Sequence, residues 1–228
     1  KTNQYDLDIL KLALNNLKDT KEIALPKIAK PNQRLGISNF GGGKDLLIGP
    51  GAGDNAGAAL GLNLQPGDVV ISLGTSGTAF AVSDTPTSDE RGYVAGFADT
   101  TGRYLPLVCT LNAARIFAAA TKMLGVDFDQ LAKLALSVKP GSGGLSLLPY
   151  FEGERTPNRP LATGVLSGLN LSNSDPANIA RAMIEGVIAG MVDAVEALIE
   201  CGVTPKRYLL IGGAASNIAV QQIRSEEH

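Results

Sequence analysis

The chain has 228 residues, of which 44% are hydrophobic and 18% charged, with a formal net charge of −2. This length suits one large domain or two small ones, and the near-neutral charge gives no basic excess that would indicate a nucleic-acid partner or an anionic membrane. No apolar run approaches the roughly 20 residues of a membrane span. Cys109 and Cys201 lack metal-ligand spacing and suit a reducing cytoplasm, where we expect the protein. The single histidine is the last residue, His228, so chemistry that needs a histidine base or zinc ligand is nearly excluded.

The first part of the chain predicts little regular structure. Residues 6–17 predict a short helix, and the sequence ALPKIAKPNQ at 24–33 predicts an extended linker marked by proline. We therefore expect residues 1–45 to form the end of a preceding domain and a linker.

The next segments predict a short helix and a group of strands. Asp54 begins an Ala/Gly/Leu-rich helix that ends near Gly61. Residues 69–83, VVISLGTSGTAFAVS, predict two strands around a Gly-Thr-Ser-Gly reversal, because β-branched and apolar residues flank turn formers. Residues 102–109 predict a third strand.

Helices dominate the middle of the chain. Residues 111–124 predict a helix that Gly125 stops, and Asp127 with Gln130 resembles a capping box for a helix that ends near residue 137. Residues 141–160 predict a loop, a buried strand and a second loop.

The strongest helix signal begins after Asp175, an N-cap residue that is followed by Pro176 at the first helical position. Apolar residues then recur every three and four positions until Gly202. Gly186 and Gly190 lie four residues apart on one face and predict a close contact with a neighbouring element.

The last elements complete an alternating pattern. Residues 207–216 predict a buried strand that runs into a glycine turn and a new helix. The order of strands and helices predicts a layered α/β domain over residues 46–223, followed by a tail at 224–228.

Two glycine turns are candidate binding elements. Gly74, Thr75 and Ser76 sit in a hairpin turn whose backbone N–H groups and hydroxyls could hold phosphate oxygens, although an ordinary hairpin turn has the same composition. Gly212 and Gly213 follow a strand and precede a helix, where glycines either admit a ligand or allow tight helix–sheet packing. Two such turns in one α/β domain favour a nucleotide ligand.

Asp54 lies in the sequence GAGDNAGAALG and allows three interpretations. Aspartate before a helix is a favoured N-cap. The glycine spacing is a loose dinucleotide fingerprint, but the preceding strand and the following helix are too short for it. The third interpretation is a general base, because the small, uncharged neighbours let a substrate approach.

Near the chain's middle, Glu152, Glu154 and Arg155 predict a local salt bridge on a loop, with glycoside hydrolysis as an unsupported alternative.

Taken in order, these segments resemble the carboxy-terminal half of the FGGY family of carbohydrate kinases, and its xylulokinase branch in particular. GAGDNAGAALG is similar to the catalytic segment of the family, SLGTSG to its second phosphate motif, GERTP to a loop of domain II, and IGGAASN to its adenosine motif. GVLSGLNLSNSDPANIARAMIE at residues 164–185 fits the carboxy-terminal signature of the family. The family's first phosphate motif and its sugar-binding amino-terminal domain have no counterpart here, and the family continues beyond the adenosine motif. We therefore expect the carboxy-terminal domain of the family, residues 46–223 here, to be incomplete at its carboxyl end. We also expect this chain alone to be poorly active.

The resemblance implies an α/β, ribonuclease-H-like domain of the actin and sugar kinase superfamily, which uses ATP and Mg²⁺ to phosphorylate a sugar held between two domains. It implies Asp54 as general base on the 5-hydroxyl of D-xylulose; kinases of glycerol, gluconate or ribulose, and a non-catalytic nucleotide-binding module, are the alternatives. No protein metal ligand is implied, and a homodimer is compatible with the resemblance. The implied nucleotide contacts are Gly74, Thr75, Ser76, Asn112, Gly212, Gly213 and Asn217.

Overall fold

A computed structural model describes residues 4–14, 23–38, 40 and 45–226, and the chain divides into two compact units, residues 1–52 and residues 53–228. The boundary between the units thus follows Ala52, whereas the sequence predicts that the second domain starts at residue 46.

In the residues of the first unit that the structure describes, there are one short helix and one strand pair. Helix α1 spans Leu7–Ala13, and the Asp6 carboxylate caps it by accepting hydrogen bonds from two backbone N–H groups. The predicted continuation to residue 17 lies outside the described residues. Strands β1 (Gly36–Ser38) and β2 (Leu46–Ile48) pair in antiparallel orientation. Residues 24–33 have no helix or strand, in agreement with the predicted extended segment.

A mixed sheet forms the centre of the second unit. Its strands in chain order are β3 (Asp68–Leu73), β4 (Gly77–Ala81), β5 (Ala95–Ala98), β6 (Tyr104–Thr110) and β9 (Arg207–Ile211). In space the order is β5-β6-β4-β3-β9, with β9 parallel to β3 and the other neighbours antiparallel. Strands β7 (Ser146–Leu148) and β8 (Val165–Ser167) form a separate antiparallel pair.

Helices cover both faces of the sheet. Because successive strand residues point to opposite faces, Val70 and Phe80 pack with α2 (Asp54–Gly61), while Val69 and Ile71 belong to the larger core on the other side. That core is built with α3 (Ala114–Leu124), α4 (Phe128–Leu136), α5 (Pro176–Glu200) and α6 (Ile218–Glu226). The predicted layered α/β architecture is confirmed.

The long helix α5 begins and ends as the sequence predicts. The Asp175 carboxylate accepts hydrogen bonds from the N–H groups of Ala177 and Asn178 at 2.9 and 3.0 Å, and Gly202 follows the last turn with φ +95°. At Gly186, a Cβ would lie 2.6 Å from the carbonyl oxygen of Leu147, so the predicted close contact exists there. The same prediction is wrong for Gly190, where a Cβ would meet no atom within 4 Å.

Two strands were predicted to be more buried than they are, and three, β1, β5 and β8, were missed. Strand β9 lies at the edge of the sheet, so its residues are exposed or half-buried, and in β7 only the central Leu147 is buried. The apolar sequence of β9 resembles that of a central strand, and only the strand order shows that one side is unpaired. Strand β5 was missed because its sequence, AGFA, has no alternating pattern.

A buried charge network joins α6 to α5, although residues 224–226 of α6 were expected in a tail. Arg181 is 2% exposed and donates hydrogen bonds to the carboxylates of Glu185 and Glu226. Glu185 in turn accepts from the Ser142 hydroxyl at 2.6 Å. Within the described part of the chain, no helix is both long and apolar enough to cross a bilayer.

Candidate functional site

The two glycine turns singled out in the sequence lie side by side at one end of the sheet. Strands β3 and β9 are parallel, with Ser72 opposite Ile211, so the turns that follow them leave the same edge. A Cβ built at Gly212 would lie 2.6 Å from the carbonyl carbon and oxygen of Leu73, the residue before Gly74. The backbones of the two turns are therefore in direct contact.

The first turn, residues 74–77, links β3 to β4 and packs against Met191 of α5. A Cβ at Gly77 would lie 2.5 Å from the Met191 sulfur and 2.6 Å from the Thr110 hydroxyl, so close packing requires glycine there. Thr75 is exposed and Ser76 half-buried. Their hydroxyls and backbone N–H groups can therefore be offered to an anion without a cationic side chain.

A third segment, residues 111–114, joins the same end of the sheet. It connects β6 to α3, and the Ala114 N–H donates a 2.9 Å hydrogen bond to the Gly74 carbonyl oxygen. The segment that contains Asn112 is thus attached to the first glycine turn.

The Asn112 side chain itself is buried, with 3% of the residue exposed. Its amide nitrogen donates to the Gly153 carbonyl oxygen at 2.7 Å and to the Glu154 carboxylate at 2.9 Å, while its amide oxygen is buried without a partner. A direct contact between this side chain and a nucleotide stays a prediction, and the structure gives the side chain a second task, holding the loop at residues 153–154.

The second turn, residues 212–217, combines two kinds of glycine. Gly212 adopts φ +95°, a region that favours glycine, and the 3₁₀ turn Gly213–Ser216 follows it. A Cβ at Gly213 would meet no atom within 4 Å, so open space lies over this residue. The Asn217 side-chain oxygen accepts from the N–H groups of Ala219 and Val220 and thereby caps α6, a role that the sequence analysis missed.

Asp54 is exposed and is the first residue of α2, preceded by Gly53 as N-cap. The interpretation of Asp54 as the N-cap is therefore wrong. Its carboxylate accepts from the N–H of Asn55 at 2.8 Å and from the Asn55 amide nitrogen at 3.2 Å. Oxygens that carry only these local bonds remain available to accept a proton from a substrate.

The remaining candidates resolve differently from the sequence expectation. Glu152 pairs with Arg115 of α3, and in the described residues no ion pair joins Arg155 to either glutamate, so the predicted local salt bridge is wrong. Glu154 is buried and accepts three hydrogen bonds from N–H groups, a role that its sequence alone did not suggest. The dinucleotide interpretation fails on element length, because β2 has 3 residues and α2 has 8.

Metal chemistry has to be considered separately. Among the residues that the structure describes, no three His, Cys, Asp or Glu side chains are grouped so that they could hold a metal ion.

The chain is similar to known proteins in sequence and in structure. The chain is 39% identical to the xylulose kinase of Streptomyces coelicolor over 97% of its own length, and 34% identical to the gluconokinase of Bacillus subtilis over 77%. It spans 44% and 37% of these two relatives. The crystal structure of xylulose kinase from Bifidobacterium adolescentis is 44% identical, with a TM-score of 0.86 over 98% of this chain and 47% of that one. These neighbours give the second unit the actin-like, ribonuclease-H-like fold. Residues 69–226 match the C-terminal domain of the FGGY family of carbohydrate kinases, and the chain belongs to that family.

Proposed function

We propose that this chain is the nucleotide-binding half of a kinase that transfers the terminal phosphoryl group of ATP to a hydroxyl of D-xylulose. The observation that supports the proposal best is the meeting of two glycine turns and the segment 111–114 at one end of the sheet. The similarity to xylulose kinases supports the choice of sugar.

The two turns divide the recognition of ATP between them. We assign the terminal phosphates to Gly74, Thr75 and Ser76, whose N–H and hydroxyl groups are donors without a competing side-chain partner among the described residues. We assign the adenosine to the open side of Gly213 and to the amide nitrogen of Asn217, because the amide oxygen of Asn217 already caps α6.

The residues present fit Mg²⁺ only as a companion of the nucleotide. Mg²⁺ keeps several waters and is commonly bound through substrate phosphates and one or two carboxylates, so a protein cage of three acids is not needed. Bound with ATP, it would neutralise charge on the phosphates.

We assign the proton transfer to Asp54. As the sugar hydroxyl oxygen bonds to the terminal phosphorus, the bond from that phosphorus to the ADP oxygen breaks and the Asp54 carboxylate takes the hydroxyl proton. Chain connectivity supports this role: α2 packs against Val70 and Phe80, and the short link at residues 62–67 returns the chain from its carboxyl end to the start of β3. Asp54 is the first residue of α2, so the length of this helix separates it from the start of β3.

The nucleotide assignment can be tested by calorimetry. The protein should bind ADP in the presence of Mg²⁺ more tightly than NAD⁺. Equal or tighter binding of NAD⁺ would contradict the assignment and restore the dinucleotide alternative.

The substrate assignment needs a kinetic test on the complete gene product. Production of ADP should be measured with D-xylulose, gluconate, glycerol and ribulose, and D-xylulose should give the highest kcat/KM. Gluconate is the main competitor because a gluconokinase is among the similar proteins. A higher kcat/KM with gluconate would keep the kinase assignment and overturn the sugar.

A further inference from the structure

The loop that contains Glu154 is joined to the first glycine turn through a chain of hydrogen bonds. Glu154 is buried, with 3% of the residue exposed. One carboxylate oxygen accepts from the Leu111 N–H at 2.6 Å and the Arg155 N–H at 2.7 Å. The other accepts from the Asn112 amide nitrogen at 2.9 Å.

These bonds fix the start of the segment 111–114, and the far end of that segment holds the turn. The Ala114 N–H donates to the Gly74 carbonyl oxygen at 2.9 Å. Only one residue, Ala113, lies between Asn112 and Ala114, so a displacement of Asn112 is passed on almost directly to Ala114.

A second bond keeps the loop in register with the sheet. The Thr156 hydroxyl donates to the Cys109 carbonyl oxygen at 2.9 Å, and Cys109 lies opposite Thr78 on β4, next to the end of the turn. The loop at residues 153–156 is therefore hydrogen-bonded to the end of β6, which is followed by the segment 111–114.

The orientation of Asn112 supports a dedicated role for the carboxylate. The Asn112 amide oxygen is buried without a partner, while its nitrogen satisfies both Glu154 and the Gly153 carbonyl oxygen. Turning the amide around would bring its oxygen against two acceptors. These two acceptors therefore hold the asparagine side chain in one orientation. A carboxylate at residue 154 is suited to this role because both of its oxygens accept hydrogen bonds.

We propose that Glu154 is a positioning residue for phosphoryl transfer: through the segment 111–114 it holds the turn at residues 74–77 in the conformation that receives the terminal phosphates of the nucleotide. Glu154 does not touch the reacting atoms in this scheme. The expected change in KM for ATP rests on the proposed kinase function. The expected change in the order of the turn at residues 74–77 does not.

The test compares Glu154→Gln with Glu152→Gln in the complete gene product. Glutamine keeps the size of the side chain but places an NH₂ group against an N–H donor, whereas Glu152 lies in the same loop and forms an exposed pair with Arg115. In Glu154→Gln, KM for ATP should rise roughly tenfold, the effect of one hydrogen bond to a charged group, while KM for the sugar stays unchanged. Both constants should stay unchanged in Glu152→Gln.

Hydrogen–deuterium exchange gives a readout that does not depend on activity. In Glu154→Gln the peptide that covers residues 72–78 should exchange faster than in the unmodified protein, and in Glu152→Gln it should not. A variant that melts at a lower temperature but keeps its KM for ATP and its exchange at residues 72–78 would show that Glu154 only stabilises the loop. If the unmodified protein phosphorylates no sugar, the proposed function fails, and the exchange comparison still decides the link.

Discussion

Gly212 and Leu73 are in backbone contact, and this contact joins the turn after β9 to the turn after β3. Gly212 has φ +95° and ψ 171°, a conformation that is essentially restricted to glycine, and a Cβ there would lie 2.6 Å from Leu73 backbone atoms. Both restrictions concern the backbone, so a flexible side chain cannot relieve them. Glycine at residue 212 therefore allows the close approach of the two turns.

We predict that Gly212→Ala lowers the free energy of unfolding by about 1–3 kcal/mol and weakens ADP binding, because the new methyl group must push the two turns apart. Gly190→Ala is the control, since a Cβ there meets no atom within 4 Å and Gly190 lies in α5, outside the proposed nucleotide site. Chemical denaturation and ADP titration of both variants provide the measurement. Equal stability and ADP affinity of the two variants would contradict the prediction.

A larger side chain at Gly213 should affect the nucleotide and spare the fold. A Cβ at Gly213 would meet no atom within 4 Å, so a side chain can begin there without a clash. We predict that Gly213→Leu in the complete gene product raises KM for ATP at least about tenfold with little change in KM for the sugar, because the side chain occupies the space assigned to the adenosine. An equal rise in both constants would show that the adenosine lies elsewhere.

Asn217 has two separable functions, a cap for α6 and a contact with the adenosine. Its amide oxygen accepts from the Ala219 and Val220 N–H groups, which leaves the amide nitrogen for a ligand. Serine is also a good N-cap but has no amide nitrogen. We predict that Asn217→Ser keeps Tm within a few degrees and weakens ADP binding about threefold to tenfold. Asn217→Ala should lose stability as well, by about 1 kcal/mol. An unchanged Kd for ADP in Asn217→Ser would leave Asn217 with the cap alone.

The sequence predicts the elements of the fold better than their burial. Asp175, Pro176 and Gly202 mark the bounds of α5 by local backbone chemistry, and such signals need no tertiary information. The exposure of β9 was missed because it depends on strand order, which an apolar run does not encode. The role of Glu154 was missed for a related reason: its partners, Leu111 and Asn112, are more than forty residues away.

In the candidate site, too, the sequence predicts local elements but not the features that depend on tertiary packing. The glycine turns were recognised from their sequences, but Gly77 is required by packing against Met191 and Gly212 by its backbone conformation. Sequence alone could not separate these reasons from ligand contact. Neither reason applies to Gly213 or to Gly74, where a Cβ would make only an ordinary contact at 3.4 Å, so these two glycines most favour a ligand.

The ion pair between Asp68 and Arg207 joins the start of β3 to β9 and should make stability depend on pH. The Arg207 guanidinium donates two hydrogen bonds to the Asp68 carboxylate, at 3.0 and 2.6 Å, and these bonds lower the pKa of Asp68. A carboxyl whose pKa is lower in the folded state contributes stability that is fully present above its unfolded pKa of about 3.9. That contribution is lost as the pH falls through the folded pKa.

We predict that Asp68→Asn unfolds with about 1 kcal/mol less free energy than the unmodified protein at pH 7, and that the difference shrinks as the pH falls below about 4. The Arg207 side chain is 57% exposed, so salt should reduce the difference. Urea denaturation from pH 7 to pH 3 measures both effects, with the exposed pair variant Glu152→Gln as control. A difference that grows toward low pH would show that the sign is wrong.

The role of Asp54 can be separated from its position at the start of a helix. An acid in the first turn of a helix contributes about 0.3–1 kcal/mol through the helix dipole, and Asp129 occupies such an exposed position in α4. Asp54→Asn and Asp129→Asn should therefore have similar small effects on Tm. If Asp54 is the general base, only Asp54→Asn should lower kcat for sugar phosphorylation, by about 10²–10⁴-fold, because a positioned base contributes that much. KM for both substrates should change little, since the lost interaction belongs to the transition state. An Asp54→Asn variant with near-normal kcat would leave Asp54 as a helix-terminal charge and remove the proton-transfer step from the proposed mechanism.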